Sequence, residues 1–306
     1  MLMPRKDPKK YLIRQSNKIS FSRHNLTAVE KRIVYLLVSK IKPDDRDFNT
    51  YTFTAKELLE GTGIGLDNHT YLKETTENLL SKVYNIPTDD GGLLQISPIS
   101  SAKYDENNTT VTFKFDPDMK PHYLELKQNY TQFQLNIVIG LKSVYSQKLY
   151  EIAKSIANRA NPSMRYSISE WRYLLFIEPG EYKDYYAFKS KVFNTAQKEL
   201  VEKTDLHIEF KEEKAGNRVN WVWMEVYKIE NEEERLGWIR QTKFNQLPKK
   251  VRESLLQSSG AAGKSTLDDI AANVAARQKA IAEAEEMGLF DKKIDASSPD
   301  DELNEE

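Results

Sequence analysis

Cysteine is absent from all 306 residues, which excludes disulfides, thiolate nucleophiles and zinc held by sulfur. Histidine is scarce. His24, His69, His122 and His207 stand far apart, and none belongs to a His-x-His pair of the kind that holds a catalytic metal beside a nucleophilic tyrosine. No apolar run approaches the roughly 18 residues needed to cross a bilayer. The opening MLMPRKDPKK lacks the apolar stretch of a signal peptide, so a cytoplasmic protein with no membrane partner is expected. Any chemistry falls to hydroxyls, carboxylates and cations, and no metal or other cofactor is expected.

Net charge is nearly absent too, at −1, but that total conceals a division. Residues 283–306 hold ten acids against Lys292 and Lys293, a net of −8, and residues 1–282 hold 43 basic and 36 acidic side chains, a net of +7. A mildly basic body with an acidic tail suits a nucleic-acid surface on the body, and equally a plain solubilising tail.

Repetition, in contrast, is plentiful. Residues 26–41, LTAVEKRIVYLLVSKI, and 141–156, LKSVYSQKLYEIAKSI, each carry apolar side chains at helical spacing. Each is followed by a short strand feeding a capping box, Thr54 with Glu57 in the first half and Ser167 with Glu170 in the second. The boxes lie 113 residues apart and the opening helices 115. Each box starts a short helix, then a loop leads to a longer one over 69–83 or 183–203. Strands follow: 93–96 and 110–115 around a DENN turn, then 206–210 and 219–226 around a KAGN turn. Helix, strand, helix, helix, hairpin is the order of a winged helix, and the chain carries it twice. The expected class is α+β: a basic N-terminal arm over 1–20, winged-helix domains over 21–135 and 136–230, and a linker, Ala-rich helix and acidic disordered tail over 231–306.

Within the second long helix, YAFKSKVFNTAQKEL (186–200), Phe188, Val192, Phe193, Ala196 and Leu200 fall on one arc of roughly 140°. The opposite arc collects Ser190, Lys191, Asn194, Thr195, Gln197 and Lys198, with cations at two heights and no carboxylate. Several motifs lose to plainer readings. GAAGKST (260–266) lacks the glycine five positions before its GK pair that a phosphate loop requires. GTGIG (61–65) follows a helix and reads as a terminator. Tyr182 and Tyr186 have the YxxxY spacing of DNA-nicking initiators, but without the metal ligands they read as packing residues.

QSNKISFSRHNLTAVEKRIVYLLVSKI, the paired S/T-x-x-E segments, and above all FKSKVFNTAQKELVEKTDLHIEF with the Gly216 turn resemble the initiator Rep proteins of theta-replicating, iteron-carrying plasmids. The resemblance spans roughly residues 11–230. It implies two winged-helix domains that bind directly repeated double-stranded DNA at a plasmid origin, recruitment of host replication proteins, monomers that initiate, and homodimers that bind the operator and repress their own gene. A winged-helix repressor without a replication role is the alternative reading.

In such a domain the second helix of the helix-turn-helix enters the major groove. Lys191 and Lys198 would then reach guanine edges or phosphates, Asn194 adenine, and Thr195 a thymine methyl, with Ser190 beside them. Lys189 and Arg218, the latter beside the wing turn, would hold phosphate. In the first domain the counterpart helix offers Lys73, Asn78 and Lys82, opposed by Glu74 and Glu77. That makes it the weaker DNA contact, a domain suited to dimerisation. Trp221 and Trp223 share one face of the last strand and read as core.

Overall fold

Three S/T-x-x-E sequences fix where helices begin in the computed structural model, which describes residues 11–259 and 267–290. Thr54 and Glu57, then Ser167 and Glu170, exchange the reciprocal side-chain and backbone bonds of a capping box. Thr27 and Glu30 form a third that the sequence reading passed over.

The chain enters as β1 (Leu12–Ser16) and α1 (Asn17–Phe21). β1 pairs antiparallel with a later strand, and Ile13 and Ile19 are buried. Residues 12–20 are therefore part of the folded body rather than of a basic arm, because alternation in LIRQS presents Ile13 to the core. Arg5, Lys6, Lys9 and Lys10 lie outside the described residues.

The first winged helix follows: α2 (Ala28–Val38), β2 (Tyr51–Thr54), α3 (Ala55–Thr62), α4 (His69–Leu80), a separate hairpin of β3 (Tyr84–Pro87) and β4 (Leu93–Ile96), then β5 (Ile99–Tyr104) and β6 (Thr110–Phe115). Its sheet runs β2-β6-β5. The strand across the DENN turn from β6 is thus β5, not 93–96, which pairs with β3 instead. A bridge of α5 (Lys120–Tyr123), β7 (Tyr130–Gln134, the partner of β1) and α6 (Leu135–Gly140) leads to the second copy.

That copy comprises α7 (Val144–Ile156), β8 (Ser163–Ser167), α8 (Ile168–Leu174), α9 (Tyr185–Phe188), a π-helical turn over Lys189–Asn194, α10 (Thr195–Lys203), β9 (Leu206–Ala215) and β10 (Arg218–Lys228), in sheet order β8-β10-β9. Its core centres on Trp171, fully buried, whose indole Nε1 donates to Val222 O at 3.0 Å.

Both copies belong to one compact unit that extends to Ile229. Their opening helices meet through charge. Lys31 on α2 lies 3.1 Å from Glu151 on α7, and Tyr35 donates to the same carboxylate at 2.5 Å. Lys148 Nζ donates to Ser22 O at 2.6 Å, and Arg32 to Leu141 O at 2.8 Å. Burial with few partners pulls the Lys148 pKa down to about 7.

Residues from Glu230 form a second unit. It holds α11 (Glu232–Gln246), α12 (Lys249–Ser258) and α13 (Leu267–Glu286), with a small core of Phe244, Leu247, Leu255, Ala280 and Ala284. The flexible linker read over 257–266 starts later than expected, since Gln257 and Ser258 close α12, and residues 260–266 lie outside the described residues. Glu283, Glu285 and Glu286 belong to α13 rather than to a tail, and residues 291–306 lie outside the described residues.

Candidate nucleic-acid interface

Asp184 opens the long helix of the second copy, its Oδ1 accepting from Ala187 N at 2.7 Å. Phe188, Val192, Phe193, Ala196 and Leu200 are all fully buried, the stripe that the sequence predicts. Phe193 stacks on Phe210 with ring centroids 4.0 Å apart and meets Trp171 edge-on at 5.6 Å. The helix is not uniform, however. Across Lys189–Asn194 it widens to π geometry, and Thr195 Oγ1 donates to Ser190 O, five residues back, at 3.3 Å. A 100° step cannot show such a turn, which inserts one extra residue into the helix.

On the outer arc Lys191 and Lys198 are exposed, and Lys189, Ser190, Asn194, Thr195 and Gln197 are half-buried. One carboxylate borders them, since Glu202 is exposed one turn beyond Lys198 on the same side of α10. Glu199 turns inward to accept from the backbone N–H groups of Lys142 and Ser143, capping the entry to α7. Lys189 is less open than the sequence suggests, because its ammonium lies 2.6 Å from Glu212 on β9, which also accepts from Tyr185. Thr195 has its hydroxyl committed to Ser190. Arg218 is exposed, paired across the hairpin with Ala215 beside the turn that Gly216 makes at φ +62°.

Tyr186 corrects the packing assignment. It is 71% exposed at the start of this face, whereas Tyr182 points its hydroxyl at Tyr145, 3.3 Å away. The turn between α8 and the long helix is longer than the three or four residues of a simple helix-turn-helix. Arg172 fastens it by donating to the carbonyls of Glu181 and Tyr182 at 2.5 and 3.1 Å. Arg23 from the first copy sits over Phe176 of this turn at 4.1 Å.

The counterpart helix α4 in the first copy is capped by Asn68. Lys73 and Asn78 are exposed, as are Glu74 and Glu77. Lys82 is drawn off the open face. Its ammonium lies 3.6 Å from Glu30, the glutamate of the α2 capping box, and its side chain is only 17% exposed. Trp221 and Trp223 do share a face of β10, but the outer one: Val222 and Met224 fill the core while the two indoles remain 36% and 37% exposed.

Two family models match the chain, one described as initiator replication protein, WH1, over residues 12–154, and one as initiator Rep protein, WH2, over residues 167–223. The chain belongs to the initiator Rep protein family. The structure of the Pi initiator protein in complex with iteron DNA matches this Rep chain with a TM-score of 0.60 at 21% identity, over 73% of this chain and 99% of that one, and so shares its fold. Domains 2 and 3 of RctB align with a TM-score of 0.40 at 11% identity, over 75% and 95% of the two chains. No curated protein matches. The WH1 match runs through most of α7, so it includes both sides of the Lys31–Glu151 seam. The helical unit after Ile229 lies beyond both matches.

Proposed function

We propose that this replication initiator binds repeated double-stranded sites at a plasmid origin as a monomer, reads them mainly through the second winged helix, and recruits host replication proteins there. As a homodimer it represses its own gene. The supporting observation is the outer arc of the long helix. Lys191, Asn194 and Lys198 lie on one side of an aromatic core, Glu199 is turned inward so that Glu202 is the acid left beside Lys198, and the Arg218 wing stands alongside. That face suits a major groove, in which lysine reads guanine and asparagine reads adenine. The Pi initiator, which shares the fold, binds iteron DNA. In the first winged helix, Glu74 and Glu77 beside Lys73 favour a weaker contact and leave that domain to join protomers.

Two helices reading successive major grooves on one face of B-DNA sit about 10–10.5 bp apart. Footprinting of the monomer on the repeats beside its own gene should therefore show protection of about 20 bp. Protection of a single groove would mean that the first domain does not dock. Absence of any protected repeat would overturn the reading.

A further inference from the structure

Because the fold occurs twice in one chain, each sheet serves as a control for the other. In the first copy the outer face carries Thr52, Thr54, Thr112, Lys103 and Lys114, and the Thr52 and Thr112 hydroxyls meet at 2.8 Å. That is an ordinary solvated face. In the second copy the equivalent central strand, β10, places Trp221 and Trp223 there. The fold does not require aromatic side chains at these positions.

The two indoles are held in place. Arg165 on β8, paired in register with Trp223, stacks its guanidinium 4.2 Å from the Trp221 ring and 5.8 Å from that of Trp223. It also forks onto Glu213, donating at 3.0 and 2.7 Å, and Trp223 Nε1 donates to Glu213 at 3.3 Å. Lys211, opposite Trp223, pairs with Glu225 at 2.7 Å. Tryptophan and arginine fixed in advance are the residues that carry most binding energy at protein interfaces, and little side-chain entropy is left to lose.

Charge selects the occupant. Arg165, Lys211 and, one row nearer the turn, Arg218 share this face with Glu209, Glu213 and Glu225, a net of zero, and the two cations beside the indoles, Arg165 and Lys211, are bonded to carboxylates. A phosphate backbone laid over the two indoles would meet Glu213 and Glu225 with their cations already bonded, and would find Arg218 only at the wing end. A cationic side chain would find the opposite: Arg165 shows how a guanidinium lies on one indole and forks onto a carboxylate, and Trp223 has no cation as close as the one on Trp221. We infer that this outer face docks a protein segment carrying an arginine or lysine beside an apolar side chain. This deepens the reading of the chain as an initiator that recruits partners, and it can be tested apart from that reading.

The test uses the full chain with Trp221 and Trp223 both replaced by threonine, the residue type of the first copy, and Glu213→Lys as a second variant that leaves the core untouched. Calorimetric titration with a synthetic Leu-Arg repeat peptide should give parental binding at least tenfold tighter than with its Leu-Gln counterpart. Both variants should lose that preference, oligo-dT should not displace the peptide, and repeat-DNA binding should stay within twofold. Plasmid replication supported by the variants should fall at least tenfold. Equal binding of the two peptides, displacement by oligo-dT, loss of repeat binding by both variants, or parental replication would each overturn the inference. Failure of the parent to bind any repeat would instead sink the initiator reading, leaving the peptide result to stand or fall alone.

Discussion

Glu151→Gln tests the seam between the two winged helices most directly. Glu151 accepts from Tyr35 at 2.5 Å and lies 3.1 Å from Lys31, with the Lys31 and Glu151 side chains 2% and 3% exposed. Its second oxygen, Oε2, accepts no hydrogen bond, so the pair is compensated mainly by itself. Glutamine keeps the shape and an acceptor for Tyr35 but leaves Lys31 a buried ammonium without a counter-ion. Two unit charges at that separation interact by about 5 kcal/mol at an effective dielectric of 20. Breaking one side of a buried pair costs about 3–5 kcal/mol, so a loss of that size is expected at neutral pH.

Lys148 gives the loss a pH signature. Burial pulls its pKa from 10.5 to about 7, with Glu151 opposing that fall and Lys31 adding to it. The unfolded chain keeps this proton up to the ordinary lysine value while the folded chain releases it near 7. Between those limits the unfolded state binds more protons, and stability rises with pH. The parent should therefore gain stability from pH 7 to pH 9. In Glu151→Gln, Lys148 loses its nearby anion, so its pKa falls further and the rise begins at lower pH. Urea unfolding followed by circular dichroism at pH 6, 7, 8 and 9 reads both effects. A loss under about 1 kcal/mol would refute the claim that the seam depends on this charge. Lys31→Met combined with Glu151→Gln should restore most of the stability, since glutamine still accepts from Tyr35 and no charge of the pair is then left alone. If it does not, shape rather than charge holds the helices together.

Phe193→Ala should cost about 3–5 kcal/mol in the same unfolding assay, because the ring is fully buried against Phe210 and Trp171. Asn194→Ala and Lys191→Ala should each weaken binding to the repeat by about 1–3 kcal/mol while hardly changing binding to random DNA, as read by fluorescence anisotropy on both. Lys198→Ala should lower the salt slope by about 1 unit if that exposed cation meets phosphate, and Lys189→Ala by less, since Glu212 already shares its charge. Thr195→Val, which removes the bond to Ser190 O, should lower the ratio of repeat to random-DNA affinity severalfold, and Thr195→Ser should restore it. Equal ratios for the two would mean that the hydroxyl does not position the reading arc.

The doubled fold was legible because its signals are local. A capping box needs four residues, and strand alternation needs six. What escaped depends on neighbours brought from elsewhere in the chain. Helical spacing puts Lys82 on an open face, and only the approach of α2 supplies Glu30. Alternation in β10 separates two faces without saying which one the helices cover, and hydrophobicity alone chose the wrong one for Trp221 and Trp223. β5, with Ser100, Ser101 and Ala102 at its centre, has too little β propensity to outrank the Leu93-Leu94 run.

These misreadings share a cause that the duplication exposes. Aligned on their N-caps, Thr27 and Ser143, the opening helices are offset by 116 residues, so Leu149 and Ile152 on α7 stand where α2 has Ile33 and Leu36, and Lys148 and Glu151 where it has Arg32 and Tyr35. Trp221 and Trp223 stand on a face where the first copy has threonines. Features common to both copies mark what the fold itself demands: the caps, the inward stripe, the alternating hairpin. Side chains outside that shared pattern answer to a neighbour outside the domain. For Arg32 and Tyr35 on α2, and Lys148 and Glu151 on α7, the neighbour is the other half of the chain. The same logic applied to the indoles of β10 requires a neighbour that the first copy lacks, and the paired charges around them set its sign.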